Sequence, residues 1–349
     1  MKILYLIDNF SIGGAQTVVK GLMEKNAKNR EIYAIALRQK FPENTIDHPN
    51  AICFQSKSKY SLRPLKFLER IISEKQIEII HCQLPRSIFF GYLLKRTSPY
   101  IKYIIHEQGD VFESRIYSLF LRILKRKADG IIACSEATKK ELSTRLHLAP
   151  QKTSVLYNFV DLARFSPGKD SAGNRYKIAF AGRIEKRKGW REFVKAAKHF
   201  HSIKKLSFYI AGSGTEEGKL IRIIQNQEYS NIRFVGFKAN IEEFYKAIDL
   251  LVIPSHFEPM GMVAVEAMAC GVPVLAANVP GLNEVVKHEI NGWTYSSKSV
   301  TELTNAIEKI INCNPEKVKT IIDKGIEHSR EFSFEIFSNK LLKFYSALF

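Results

Sequence analysis

Two carboxylates bracket a neutral stretch in "HFEPMGMVAVEAMACGVPV": Glu258 and Glu266, eight positions apart. Glu258 precedes a turn through Pro259 and Gly261, while Glu266 falls more than a turn inside a run of helix formers from Met262 to about Met268. That separation rules out a single acid–base pair. Each carboxylate can instead accept hydrogen bonds from hydroxyls at one end of an elongated ligand. A loop glutamate beside a helix start and a solvated helical glutamate would show the same spacing. Upstream, "AFAGRIEKRKGWREF" places Arg183 and Lys188 five apart, closing on Gly189. A guanidinium fork and a compact ammonium can together neutralise a diphosphate. Lys186, Arg187 and Arg191 share the segment, and charge runs of this kind are usually solvated surface.

Both stretches need elements that bring them to one place. Apolar runs recur along the chain: "KILYLI", "IYAIAL", "AICF", "IEIIHC", "YIIHE", "GIIACS" and "TSVLYN", then "YKIAFAG", "FYIAG", "IRFVGF", "LLVIPS" and "VPVLAAN". Continuous runs of this kind suit strands buried on both faces, and their alternation with helical stretches implies parallel sheets. They are too many for one sheet, and 349 residues exceed one ordinary core. A polar stretch, Pro167 to Asn174, marks the break. The expected fold is α/β, with two Rossmann-like domains at 1–165 and 175–330, a linker at 166–174, and a helical tail at 331–349 packing back on the first domain. In such sheets ligands collect beyond the carboxyl ends of strands, at helix N-termini. "LLVIPS" and "YKIAFAG" put both charged loops there. The helix opening at Met262 offers free N–H groups and partial positive charge to a phosphate or sugar, with Gly261 permitting close approach.

"GRIEKRKG", "IAGSG", "FVGF" and "EPMGMVAVEAMACGVPVLAANVPGLNEVV…NGW", in this order, resemble the family-4 retaining glycosyltransferases of GT-B fold, whose signature is Glu, seven residues, Glu. The first half resembles them more loosely, through "SIGGAQ" and "NFVD". The resemblance implies two domains facing across a cleft and a catalytic set of His106, Arg183, Lys188 and Glu258. Arg183 and Lys188 would bind the donor's diphosphate. Glu258 and the backbone at Gly261, Met262 and Val263 would hold the sugar and distal phosphate. Glu266 would accept the ribose hydroxyls, and Phe237 would lie near the base. Gly212 of "IAGSG" belongs to the same donor site, and Gly13 and Gly14 would line the cleft from the first domain. His106, ending "YIIHE", matches the family's histidine near sugar and acceptor, although a lone strand-end histidine is more often simply hydrogen-bonded. The implied reaction moves a sugar, with retention, from a nucleoside diphosphate, UDP foremost, to a hydroxyl of a glycan or lipid-linked acceptor in cell-envelope polysaccharide or lipopolysaccharide synthesis. No DxD motif stands in a suitable place, so the expected site needs neither metal nor cofactor.

Composition bounds the rest. The five cysteines are scattered with no CxxC pair, which argues against zinc and for a reducing, cytosolic compartment. No apolar run approaches the ~18 residues of a membrane span, and the start is too short for a signal peptide. The net charge is +18, most of it in residues 1–165. "KSKYSLRPLKFLERII" and "RIYSLFLRILKRKAD" mix basic and apolar residues as helices on anionic membranes do, and as core-facing helices with solvated basic faces also do. With the charge excess, they point to a protein docked on the inner face of the cell membrane. No nucleic-acid motif is present, and nucleic acid is not an expected partner. Two rivals share the two-domain shape: a non-hydrolysing sugar-nucleotide epimerase, and a catalytically silent glycan-binding partner subunit.

Overall fold

The computed structural model describes residues 1–11, 13–25, 30–38, 46–56, 58, 61–109, 115–168, 175–225 and 230–349. The chain forms two compact units, Met1–Asn158 with Phe337–Phe349, and Phe159–Ile336. Each is built on a parallel sheet of Rossmann type.

The first unit carries β1 (Lys2–Ile7), β2 (Glu31–Ala36), β3 (Ala51–Cys53), β4 (Ile79–Gln83), β5 (Lys102–Glu107), β6 (Gly130–Ala133) and β7 (Thr153–Val155), in the order β3-β2-β1-β4-β5-β6-β7. These are the seven apolar runs of the first half. Leu4, Leu6, Ile80, Cys82, Tyr103 and Ile105 are buried in a core with Leu68, Ile71 and Ile72 of the helix Pro64–Lys75. The strand order reverses between β1 and β4, a topological switch point where helices depart to opposite faces.

The second unit carries β8 (Tyr176–Ala181), β9 (Leu206–Ala211), β10 (Ile232–Gly236), β11 (Leu250–Ile253), β12 (Val274–Ala277) and β13 (Trp293–Tyr295), in the order β10-β9-β8-β11-β12-β13. Its switch point lies between β8 and β11. The loop after β8 contains Arg183 and Lys188, and the loop after β11 contains Glu258. β13 is a strand that apolar patterning misses: three residues, one of them Thr294, on the sheet edge.

The division at Asn158/Phe159 falls before the expected boundary at 165. Residues 159–165 are tied to the second unit: Val160 N–H donates to Phe332 O at 2.8 Å, and the Phe159 ring meets Phe334 edge-on at 5.0 Å. Of the expected linker, only 166–168 lie among the described residues. The tail forms the helix Phe334–Ser346, and the part from Phe337 belongs to the first unit rather than everything after 330. Its Tyr345 hydroxyl meets Tyr5 and His81, and Arg30 donates to Ser338 Oγ at 2.7 Å.

Candidate functional site

In the second unit, close backbone approaches stitch the loops together, and glycines permit them. Gly189 has φ 70°, and a Cβ there would lie 1.8 Å from Pro254 O at the end of β11. His256 N–H donates to Arg187 O at 2.8 Å. The loops after β8 and β11 are thus fixed side by side. Gly212, with φ 141°, leaves 1.8 Å between a would-be Cβ and Gly182 O, so the loop after β9 packs as closely on the loop after β8.

This stitching turns the charge run into a built site. A single 3₁₀ turn, Lys186–Lys188, ends on Gly189. It leaves Lys186 exposed and turns Lys188 inward. Lys188 Nζ donates to Glu258 Oε2 at 2.6 Å, with both side chains largely covered, and Ser255 Oγ donates to the same oxygen at 3.2 Å. Arg183 is the outer partner. Its side chain is about half exposed, and its Nη1 donates to Glu185 Oε1 at 3.0 Å, while Arg187 Nε donates to Oε2 at 3.2 Å. The segment is therefore partly a solvated cluster, but Lys188 has left it.

The backbone of Glu258 is held by the loop after β12. It forms an isolated parallel bridge with Gly281, where φ is 81° and a Cβ would lie 2.2 Å from Glu258 O. Gly281 is a positioning residue that the spacing argument missed, although its Pro–Gly dipeptide is a turn signal. The helix Met262–Ala269 begins where the sequence places it. Its N-cap is Gly261 at φ 91°, ψ 45°, with no side chain capping it. The first-turn N–H groups, including Met262 and Val263, are those a helix start leaves for an anion.

Glu266 is not a solvated helical glutamate. It is half-buried and accepts a hydrogen bond from Tyr245 Oη at 3.1 Å. Burial pushes its carboxyl up from 4.5 to about 7, against the Tyr245 hydroxyl and the Arg164 charge, which lower it. Arg164 is held by Glu242 through Nε at 2.8 Å and Nη2 at 2.6 Å. Glu258 and Glu266 thus sit in separate environments, the first paired to a cation and the second with its titration moved up to about 7. Phe237 follows β10 with half its surface exposed. Glu216, in the loop after β9, ties that loop to the start of the helix Trp190–His199. It accepts from Trp190 Nε1 at 3.1 Å and Arg191 Nη2 at 3.0 Å, and the Arg191 bond holds its carboxyl down at about 2.

The remaining candidates lie in the first unit. Gly13 caps the helix Gly14–Glu24 in extended geometry, φ 173°, after β1. His106 is the penultimate residue of β5, fully buried, with Nδ1 3.0 Å from His81 Nε2. No hydrogen bond or ring contact joins Gly13 or Gly14 to His106 among the described residues.

A paired ammonium, an uncapped helix start and a half-buried carboxylate at a parallel sheet's switch point are features that nucleotide-binding α/β proteins use to take a phosphorylated ligand. Residues 163–328 match the family Glycosyl transferases group 1, and residues 12–164 match Glycosyltransferase Family 4. A glycosyltransferase of Methanocaldococcus jannaschii is 28% identical over 93% of this chain and 92% of its own. The Escherichia coli UDP-Gal:alpha-D-GlcNAc-diphosphoundecaprenol alpha-1,3-galactosyltransferase is 25% identical over 79% of this chain and 76% of its own. In fold, the chain superposes on Anabaena HepE, crystallised with UDP and glucose, with TM-score 0.87 and 21% identity over 99% of this chain and all of that one. The chain belongs to the family-4 glycosyltransferases of GT-B fold, and it is an enzyme of glycosyl transfer.

Proposed function

We propose that the enzyme transfers a sugar from UDP to a hydroxyl of a lipid-linked or glycan acceptor, with retention and without a metal ion. The observation that carries this reading is the Lys188–Glu258 pair beside the uncapped helix start at Gly261. An ammonium has three donors, and Lys188 spends one on Glu258. Two remain for diphosphate oxygens, so Lys188 can hold the phosphate while keeping Glu258 in place for the sugar. As the bond to the sugar breaks, negative charge grows on the leaving diphosphate. Lys188, Arg183 and the helix start are preorganised to stabilise that charge, where many transferases use a divalent cation. Glu266, with its Tyr245 partner, is placed to accept ribose hydroxyls, and Phe237 offers an exposed ring near the base. The E. coli relative's named substrates support a UDP-sugar donor and a polyprenyl-diphosphate-linked acceptor.

No observation favours an epimerase or a silent partner subunit: Arg183, Lys188, Glu258 and Glu266 are all in place. Thermal-shift titration with UDP, GDP and ADP, followed by UDP-release assays with a polyprenyl-diphosphate-linked sugar, tests the reading. UDP-specific stabilisation and acceptor-dependent UDP release are expected. Stabilisation by none of the three would refute it.

We also propose peripheral docking on an anionic membrane at the cytoplasmic face. No described helix is long and apolar enough to cross a bilayer. Of the two basic-apolar stretches, the helix Pro64–Lys75 turns Leu68, Ile71 and Ile72 into the core, and Lys57, Lys59 and Tyr60 before it lie outside the described residues. The helix Arg115–Leu124 differs. Tyr117, Leu121 and Leu124 face inward, while Ile116, Leu119, Phe120 and Ile123 form an exposed stripe followed by exposed Arg126 and Lys127. An apolar stripe beside cations suits the headgroup boundary of an anionic bilayer.

A further inference from the structure

The first unit contains a chain of buried polar groups on the sheet face opposite its main apolar cluster. Tyr5 and His81 are register partners on β1 and β4, and Gln83 and His106 are register partners on β4 and β5. Their side chains alternate with Leu4, Leu6, Ile80, Cys82 and Ile105 of that cluster. Tyr5 Oη lies 2.7 Å from Tyr345 Oη, and Tyr345 Oη lies 2.7 Å from His81 Nδ1. His81 Nε2 lies 3.0 Å from His106 Nδ1. The chain ends at His106 Nε2, which is buried and has no hydrogen-bond partner among the described residues. Among the described residues, Gln83 Nε2 is buried and unpartnered as well.

Hydrogen-bond accounting gives the chain a direction. Run from Tyr5 toward His106, every proton is used except the last, on His106 Nε2. Run the other way, two groups are orphaned: the Tyr5 hydroxyl proton and the His106 Nε2 lone pair. Buried orphans are costly, so the first arrangement wins. Burial keeps both imidazoles neutral, with His106 pushed down to about 3 and His81 well below its usual range.

We propose that Tyr5, Tyr345 and His81 lock His106 in the Nε2–H tautomer, so that His106 and Gln83 present N–H donors to an oxygen of a bound sugar and His106 accepts no proton in catalysis. The word sugar rests on the glycosyltransferase reading; the tautomer does not. Tyr345, on the returning C-terminal helix, is then a positioning residue, acting on the ligand only through the two histidines.

The test uses the full chain labelled with ¹⁵N-histidine at pH 7. Long-range ¹H–¹⁵N correlation reads each tautomer, with His106→Gln and His81→Gln variants assigning the signals. Both rings are expected neutral with the proton on Nε2. A proton on His106 Nδ1, or an imidazolium, overturns the proposal. Tyr345→Phe is expected to raise the Nδ1–H fraction of His106. It should also lower kcat/KM about five- to tenfold, the effect of one lost hydrogen bond, with UDP affinity unchanged. An unaltered tautomer in that variant removes Tyr345 from the relay; if Tyr345→Phe does not fold, His81→Leu, which removes the donor to His106 Nδ1, takes the same measurement on His106. Gln83→Leu is expected to cost about tenfold in kcat/KM with the tautomer intact, and full activity would remove Gln83 from the site. UDP release from UDP-glucose, UDP-galactose and UDP-N-acetylglucosamine is followed on the same samples. The Nε2–H tautomer without any turnover would refute the transferase reading and leave the relay standing.

Discussion

Glu266→Gln separates stability from function at one carboxylate. Glu266 titrates at about 7 in the folded chain against an ordinary value of 4.5. Between those two pH values the folded state holds a proton that the unfolded state has released, so stability falls as pH rises through that window and the loss is complete above about 7. The ionised form therefore costs at most about 3 kcal/mol. Glutamine has no charge to bury, and its carbonyl still accepts from Tyr245 Oη. The variant should match wild type at pH 4.5 and melt several degrees higher at pH 8, since about 3 kcal/mol in a unit of this size corresponds to roughly 6–12 °C. The same change removes an anionic acceptor of ribose hydroxyls, and hydrogen bonds to charged groups contribute about 1.5–3 kcal/mol. UDP affinity should fall by about ten- to a hundredfold. Scanning calorimetry at the two pH values and isothermal titration with UDP check both. Equal melting at pH 8 would mean that the carboxylate is not strained by burial. Unchanged UDP affinity would remove it from the nucleotide site.

Lys188→Ala and Arg183→Ala should each lower kcat on the order of 100- to 1000-fold at saturating donor, and near-normal turnover in both would refute their role. Lys188→Ala should also destabilise the fold by about 1–3 kcal/mol in urea titration, because Glu258 keeps only its Ser255 bond; Arg183→Ala, at an exposed side chain, should not. Gly189→Ala should cost at least about 2 kcal/mol, since φ is 70° and its Cβ would overlap Pro254 O. Turnover should survive EDTA; its loss, restored by a divalent cation, would contradict the metal-free scheme. In flotation assays the protein should rise with phosphatidylglycerol vesicles but not phosphatidylcholine vesicles, and L119D/F120D should abolish this. Binding that ignores those substitutions would move the docking surface elsewhere.

Local pattern made the strands legible because parallel strands buried on both faces need continuous apolar runs, and twelve of the thirteen strands among the described residues have one. β13 escaped because three edge residues with Thr294 among them carry no run. The helix at Met262 was legible from Gly261 and the small residues after it. The Lys188–Glu258 pair was not, because it depends on Gly189 meeting Pro254 O across 65 residues of sequence, and spacing within each loop carries no trace of that contact. The break between units was placed late for a related reason: the polar linker is visible as composition, whereas Val160 pairing with Phe332 is tertiary. The same holds for His106. Its strand-end position could be read, but its partners His81 and Tyr345 come from another strand and from the chain's last helix.

The central claim is that a nucleotide's diphosphate rests on Lys188 and the helix start at Met262. A crystal structure of the protein with UDP measures this directly. The account predicts phosphate oxygens within hydrogen-bond distance of Lys188 Nζ and the Met262 or Val263 N–H, with Lys188 still bridging to Glu258. A diphosphate bound elsewhere, with Lys188 touching Glu258 alone, would contradict it.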